Sequence, residues 1–149
     1  MMNLFPPLLI NRIKIIEADQ EFKQLKVRIK YSLWNKNLQN AIFGGSIFSA
    51  IDPFYAVMYW QILNSKNLPV EVWIKKAEIR YRKAATTNLY IDFKLSNTAI
   101  NNAIKALQSE EKYEVWHEIN AINSTGETYA ESKVLVFIRT RPKKHNINF

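Results

Sequence analysis

The chain has 149 residues and a mass of 17.5 kDa, with 21 Lys and Arg against 13 Asp and Glu for a formal charge of +8. That is enough chain for one buried core and too little for a second domain, and a hydrophobic content of 48% with 3 glycines and 5 prolines excludes a disordered or fibrous polymer. The absence of cysteine excludes disulfides, thiolate nucleophiles and cysteine-bound metal centres, and two histidines, His117 and His145, are too few for a histidine-rich metal site.

Residues 1–11 predict a short amphipathic helix or arm, with Pro6 and Pro7 in its first turn. Its apolar stretch, Leu4 to Ile10, has no basic residue ahead of it and no small-residue cleavage pattern behind it, so it does not read as a secretion signal. Ile13, Ile15 and Ala18 suggest a first strand, and Leu25, Val27, Ile29 and Tyr31 alternate with Lys26, Arg28 and Lys30 in a half-buried strand over Phe22 to Ser32. Trp34 to Gln39 reads as a polar loop. From Gly44 to Leu63 the apolar residues fall on every side of a helical wheel, which predicts a central helix covered all round.

Beyond the turn at Leu68-Pro69, Val70 to Lys83 predicts a long strand whose phase switches near Lys75-Lys76, as at a bulge. Leu89, Ile91, Phe93 and Leu95 alternate in the strand expected to partner it. Ser96-Asn97-Thr98 supply caps for a surface helix through Gln108, with Ile100, Ala103, Ile104 and Leu107 on its apolar stripe. Tyr113 to Asn123 and Glu127 to Thr140 form a hairpin about Ser124-Thr125-Gly126, and 141–149 is a basic tail. The order implies an α+β domain over 1–149, with an antiparallel sheet curled around one long helix and an extra surface helix. Six strands cannot hide such a helix completely, so its remaining face is a natural dimer surface. No apolar run approaches the roughly 20 residues that cross a bilayer, which makes a cytoplasmic chain without a membrane span the expectation. The positive charge suits an anionic partner such as nucleic acid, a membrane surface or a phosphorylated small molecule, and serves equally as a solubilising surface.

The stretch from Asn37 through Phe43-Gly44-Gly45-Ser46 to Asp52-Pro53 resembles the hotdog-fold thioesterases of the phenylacetyl-CoA type. There an asparagine loop leads to His-Gly-Gly and an acidic residue seven positions after the second glycine, the separation of Gly45 and Asp52. A thioesterase-like hotdog branch, grouped with the domain that follows some acetyltransferases, resembles the chain still more closely. The likeness runs through Phe43-Gly44-Gly45, Asp52-Pro53, Trp73 to Tyr81, Phe93 to Ser96 and the final hairpin around Gly126. The resemblance implies a hotdog fold, homodimers or dimers of dimers (homotetramers), and acyl-CoA sites at the subunit interface. It further implies acyl-CoA thioester hydrolysis, with the carboxylate of Asp52 as base or nucleophile and the amides of Gly45 and Ser46 binding the thioester oxygen. It implies no cofactor; a coenzyme A thioester would be the substrate.

Read from the residues, each assignment has a plainer alternative. Asp52 is the only charge between Lys36 and Lys66, and Asp52-Pro53 could simply start a helix. Gly44-Gly45 could be a tight turn, and Asn37, a candidate to orient water or the acyl group, could satisfy local backbone groups. Phe43 stands where the phenylacetyl-CoA type has histidine, and a phenyl ring neither donates a proton nor hydrogen-bonds a thioester. His117 shares a strand face with Tyr113, Val115 and Ile119, which suits a packed histidine. Lys75, Lys76, Arg80, Arg82 and Lys83 could receive coenzyme A phosphates or form a solvated strand face. Nucleic acid ranks third, because no recognised module accompanies the charge. The second functional expectation is a hotdog domain that binds acyl-CoA, another acyl ligand or a protein partner without turnover.

Overall fold

A computed structural model describes residues 2–141, so the expected basic tail beyond Arg141 lies outside the described residues. A short helix α1 (Pro6–Ile10), with both prolines in its first turn, precedes strands β1 (Ile13–Ala18) and β2 (Gln24–Ile29). The central rod is α2 (Gly44–Ile51) followed by α3 (Pro53–Ser65), then come β3 (Val70–Tyr81) and β4 (Leu89–Lys94). Helix α4 (Asn97–Glu110) and the hairpin β5 (Lys112–Ile122) and β6 (Thr128–Thr140) complete the chain. The six strands form one sheet in the order β1-β2-β4-β5-β6-β3, every described pair antiparallel.

The order groups strands by length on either side of one junction. The strands β1, β2 and β4 have 6 residues each, whereas β3, β5 and β6 have 12, 11 and 13. The short strands pair with one another and the long strands with one another, and the two groups join where β4 meets β5 at Tyr90–Ile122. So β3 does not pair with β4, the strand that follows it, as local order suggested; it pairs with β6 along its whole length, from Val70–Thr140 to Tyr81–Ala130. The link between β3 and β4 is held by Ile42 N–H to the Ala85 carbonyl and by Tyr31 N–H to Asn88 Oδ1, each at 2.8 Å. The expected bulge is present, with a register shift between Ile74 and Lys76.

The rod packs on the concave side of this sheet. Phe54, Met58, Tyr59 and Leu63 are buried against Leu25, Val27 and Ile29 of β2, Leu89, Ile91 and Phe93 of β4, and Val134, Val136 and Ile138 of β6 in one continuous cluster. Phe93 is the aromatic centre, its ring 5.1 Å from Phe54 and 5.2 Å edge-on from Tyr55. Helix α4 is capped by the Ser96 hydroxyl, which accepts the Ala99 N–H at 3.1 Å, and buries Ile100, Ala103 and Leu107. The rod is continuous through Asp52, which keeps helical angles of φ −60° and ψ −56°, but Pro53 donates no N–H to the preceding turn and divides it. One stripe of the rod stays uncovered: Phe48, Asp52, Ala56 and Trp60 recur every four residues, and Phe48 and Trp60 are 38% and 44% exposed.

Replacing Phe93 by alanine empties the centre of this core. We expect Phe93→Ala to lower the unfolding free energy by about 3–5 kcal/mol, read from urea denaturation followed by tryptophan fluorescence; a loss below about 1 kcal/mol would show that the rod does not depend on this contact.

Candidate active site at the start and middle of the rod

The start of α2 is fixed from three directions. The Phe43 N–H donates to the Asn35 carbonyl at 2.7 Å, and the buried Asn35 amide donates in turn to the carbonyls of Asn11 and Lys30. The buried Ser46 hydroxyl donates to Asn11 Oδ1 at 2.7 Å, tying the N-terminal arm to the first helical turn. From the far edge of the sheet, the Tyr81 hydroxyl donates to the Gly44 carbonyl at 2.9 Å. Sequence reasoning missed Asn11, Asn35 and Tyr81; their only signal was three polar side chains beside strand ends, which many unrelated loops share.

Within this frame the first-turn amides divide. The N–H groups of Ser46 and Ile47 donate to the Phe43 carbonyl at 2.9 and 3.4 Å, whereas no acceptor among the described residues meets the N–H groups of Gly44 and Gly45. These free donors sit at the positive end of the helix dipole, a favourable place for an oxygen gaining negative charge. A Cβ at 45 would lie 2.3 Å from the Phe43 ring, so a larger residue there would displace that exposed side chain. The ring itself is 57% exposed and flanks the helix start. The Asn37 oxygen accepts the N–H groups of Gln39 and Ala41 at 2.9 and 3.1 Å, so this side chain holds the loop that leads into the helix.

Asp52 is not a cap. Its backbone is helical, its N–H donates to the Phe48 carbonyl at 3.1 Å, and its side chain accepts no capping bond. No ion pair or side-chain hydrogen bond among the described residues reaches its carboxylate, which is half-buried on the uncovered stripe, and burial raises its pKa above the ordinary carboxylate value. Gly45 and Asp52 lie seven residues, two turns, apart on the same side of the rod, about 10 Å along its axis. One thioester cannot touch both groups of a single chain.

The basic cluster on β3 lies outside this arrangement. Lys75 pairs with Glu114, Lys76 with Glu78 at 2.8 Å, Arg82 with Glu131 at 2.6 Å, and Lys83 with Glu127. Arg80 and Glu131 instead line a groove of about 520 Å³ on the outer face of β3, β5 and β6. His117 points the other way, under the rod: its Nε2 lies 3.1 Å from the Tyr59 hydroxyl and its ring stacks on Tyr55 at 4.1 Å. No group of three or more His, Cys, Asp or Glu able to hold a metal occurs among the described residues.

A family model described as "Domain of unknown function (DUF4442)" matches residues 1–138. Among solved structures, a Pseudomonas aeruginosa protein of unknown function described as a probable thioesterase gives a TM-score of 0.77 at 15% identity, over 90% of this chain and 87% of that one. A thioesterase from Haemophilus influenzae gives 0.69 at 7% identity, over 97% and 90%. The E. coli PaaI protein from the phenylacetic acid degradation operon gives 0.62 at 16% identity, over 95% and 88%. At such identities the likeness shows the fold alone, and that fold is the hotdog. The comparison with curated proteins gives no match.

His117 sets an acid limit on this architecture. Burial lowers its pKa from 6.5 to about 4, so the unfolded chain takes up a proton below about pH 6.5 that the folded chain refuses until about pH 4. Stability should therefore fall as the pH drops through that window, by about 1–2 kcal/mol once the partial exposure of the ring is allowed for. Urea midpoints at pH 7 and 4.5 should separate less in His117→Gln than in the parent; an unchanged separation would assign the acid limb elsewhere.

Proposed function

The chain belongs to the DUF4442 family, a domain of unknown function, and from that premise we propose that it hydrolyses an acyl-CoA thioester at a site shared by two copies of the chain. The observation that carries this reading is the unpaired carboxylate of Asp52 on the one stripe of the rod that the sheet leaves open. A buried or half-buried carboxylate without a partner is costly. A structural role as helix cap would repay that cost, and Asp52 makes no capping bond.

In this mechanism a second chain packs against the open stripe, so that Asp52 of one copy faces the free amides of Gly44 and Gly45 of the other. Asp52 takes a proton from a water molecule as the water oxygen attacks the thioester carbonyl carbon. The carbonyl oxygen gains the negative charge and is held by the glycine N–H groups. Collapse of the tetrahedral intermediate restores the carbonyl, breaks the C–S bond and expels the thiolate, which is stable enough to leave without a strong acid; the proton held on Asp52 returns to it or to solvent. A raised carboxyl pKa brings the base closer to neutral pH and makes it a better proton acceptor. Phe43, exposed beside the amides, would bound the acyl side of the site.

A second reading rests on that same residue. A phenyl ring beside the helix start supplies no hydrogen bond to a substrate, which favours a domain that binds an acyl ligand without turning it over.

Two measurements test these readings. Against a panel of acyl-CoAs of different chain length, the parent should show turnover, and Asp52→Asn should lower kcat by about 10²–10⁴-fold. Undiminished turnover in Asp52→Asn would remove the mechanism, and ligand binding without turnover in the parent would select the second reading. Mixing Asp52→Asn with Gly45→Pro, which deletes one amide donor and displaces the exposed Phe43 ring, should restore activity to the mixed dimers once circular dichroism shows both variants folded. A site built within one chain would show no such recovery.

A further inference from the structure

Elsewhere on the described surface basic residues are commonly paired: beyond the β3 cluster, Lys133 reaches Glu78 at 3.0 Å and Arg139 reaches Glu71 at 2.6 Å. The N-terminal edge of the sheet is different. Arg12, Lys14, Arg28 and Lys30 line one groove of about 320 Å³ that has no carboxylate in its wall. No ion pair among the described residues involves any of the four. Strand register holds them together: Lys14 is directly opposite Arg28, and the Lys30 N–H donates to the Arg12 carbonyl at 3.0 Å. Like charges placed opposite one another on a sheet repel, and the buried Nε of Arg28 finds no acceptor among the described residues.

The other wall of the groove is apolar. Leu4 and Leu9 line it, and with Phe5 and Ile10 they form a cluster at the N-terminal arm whose members are 73%, 51%, 54% and 65% exposed, in the order Leu4, Leu9, Phe5, Ile10. A second copy of the chain is a poor occupant, since a symmetric contact would bring eight cations together without one carboxylate from the groove. A free phosphate or a nucleic acid would satisfy the cations and leave the hydrocarbon in water. A surface with phosphate groups outside and acyl chains beneath satisfies both walls at once. No helix among the described residues is long and apolar enough to cross a membrane, so the contact would be interfacial.

We propose that this edge docks on an anionic phospholipid bilayer, with the four cations against lipid phosphates and Leu4, Phe5, Leu9 and Ile10 entering the acyl boundary. The proposal stands whether or not the chain hydrolyses thioesters. It is tested by flotation of the full chain with vesicles of phosphatidylcholine alone or of phosphatidylcholine mixed with phosphatidylglycerol, each variant first checked for folding by circular dichroism.

The parent should float with the anionic vesicles, be released by high salt, and stay behind with phosphatidylcholine alone. Lys14→Glu/Lys30→Glu should weaken partitioning at least about 30-fold, the factor for two surface cations, and Leu9→Ser/Ile10→Ser should weaken it with the charge untouched. Lys105→Glu/Lys133→Glu changes net charge equally at a distance and should float as the parent does. Failure to float with anionic vesicles, equal weakening by the two charge-reversed pairs, or complete release by millimolar inorganic phosphate at constant ionic strength would each overturn the proposal.

Discussion

A helix with hydrocarbon on every side has to be wrapped, and most of this molecule follows from how one six-stranded sheet does so. The curl of the sheet buries Phe54, Met58, Tyr59 and Leu63 and draws core residues from all six of its strands. It cannot close, because β1 and β3 remain free edges of an open antiparallel array. The uncovered stripe that results runs the length of the rod and carries its only charge at its middle. Burial of apolar surface thus accounts for the fold and also for the opening in it.

The break in the rod falls at the same place. Pro53 cannot supply the N–H that would continue the helical ladder, yet Asp52 keeps helical angles, so the side chain is aimed outward along the stripe rather than folded back onto the backbone. At the upper end of the rod the backbone is pinned by residues from three separate elements, Asn35, Asn11 and Tyr81. That pinning leaves two glycine amides free while the next two are bonded to Phe43. Carboxylate and amides are therefore held on one rigid scaffold, two turns apart on one side of the rod.

Charge is distributed by the same sheet. On the long-stranded half, neighbours of opposite sign pair above exposed aromatic rings: Lys133 bridges across strands to Glu78 over Trp116, and Arg139 to Glu71 over Trp73. On the short-stranded half, Lys14 faces Arg28 and no acid intervenes. Net charge alone located neither arrangement, since a sum over the chain carries no information about which cations have partners.

The sequence by itself determined the elements: the period-two alternation of β2 and β4, the bulge at Lys75, the Ser96 cap and the all-round apolar rod are local patterns, set by side-chain direction along strands and helices. The separation of Gly45 and Asp52, seven residues on one helix, was likewise legible, because helical geometry converts a count into a shared face. Tertiary structure alone decided the rest. It placed β3 beside β6 rather than β4, since pairing depends on contacts between strands distant in the chain. It showed Asp52 uncapped and unpaired among the described residues, Asn37 bound to its own loop and Lys75 facing Glu114, since hydrogen bonds and ion pairs are properties of distances that no one-dimensional pattern contains.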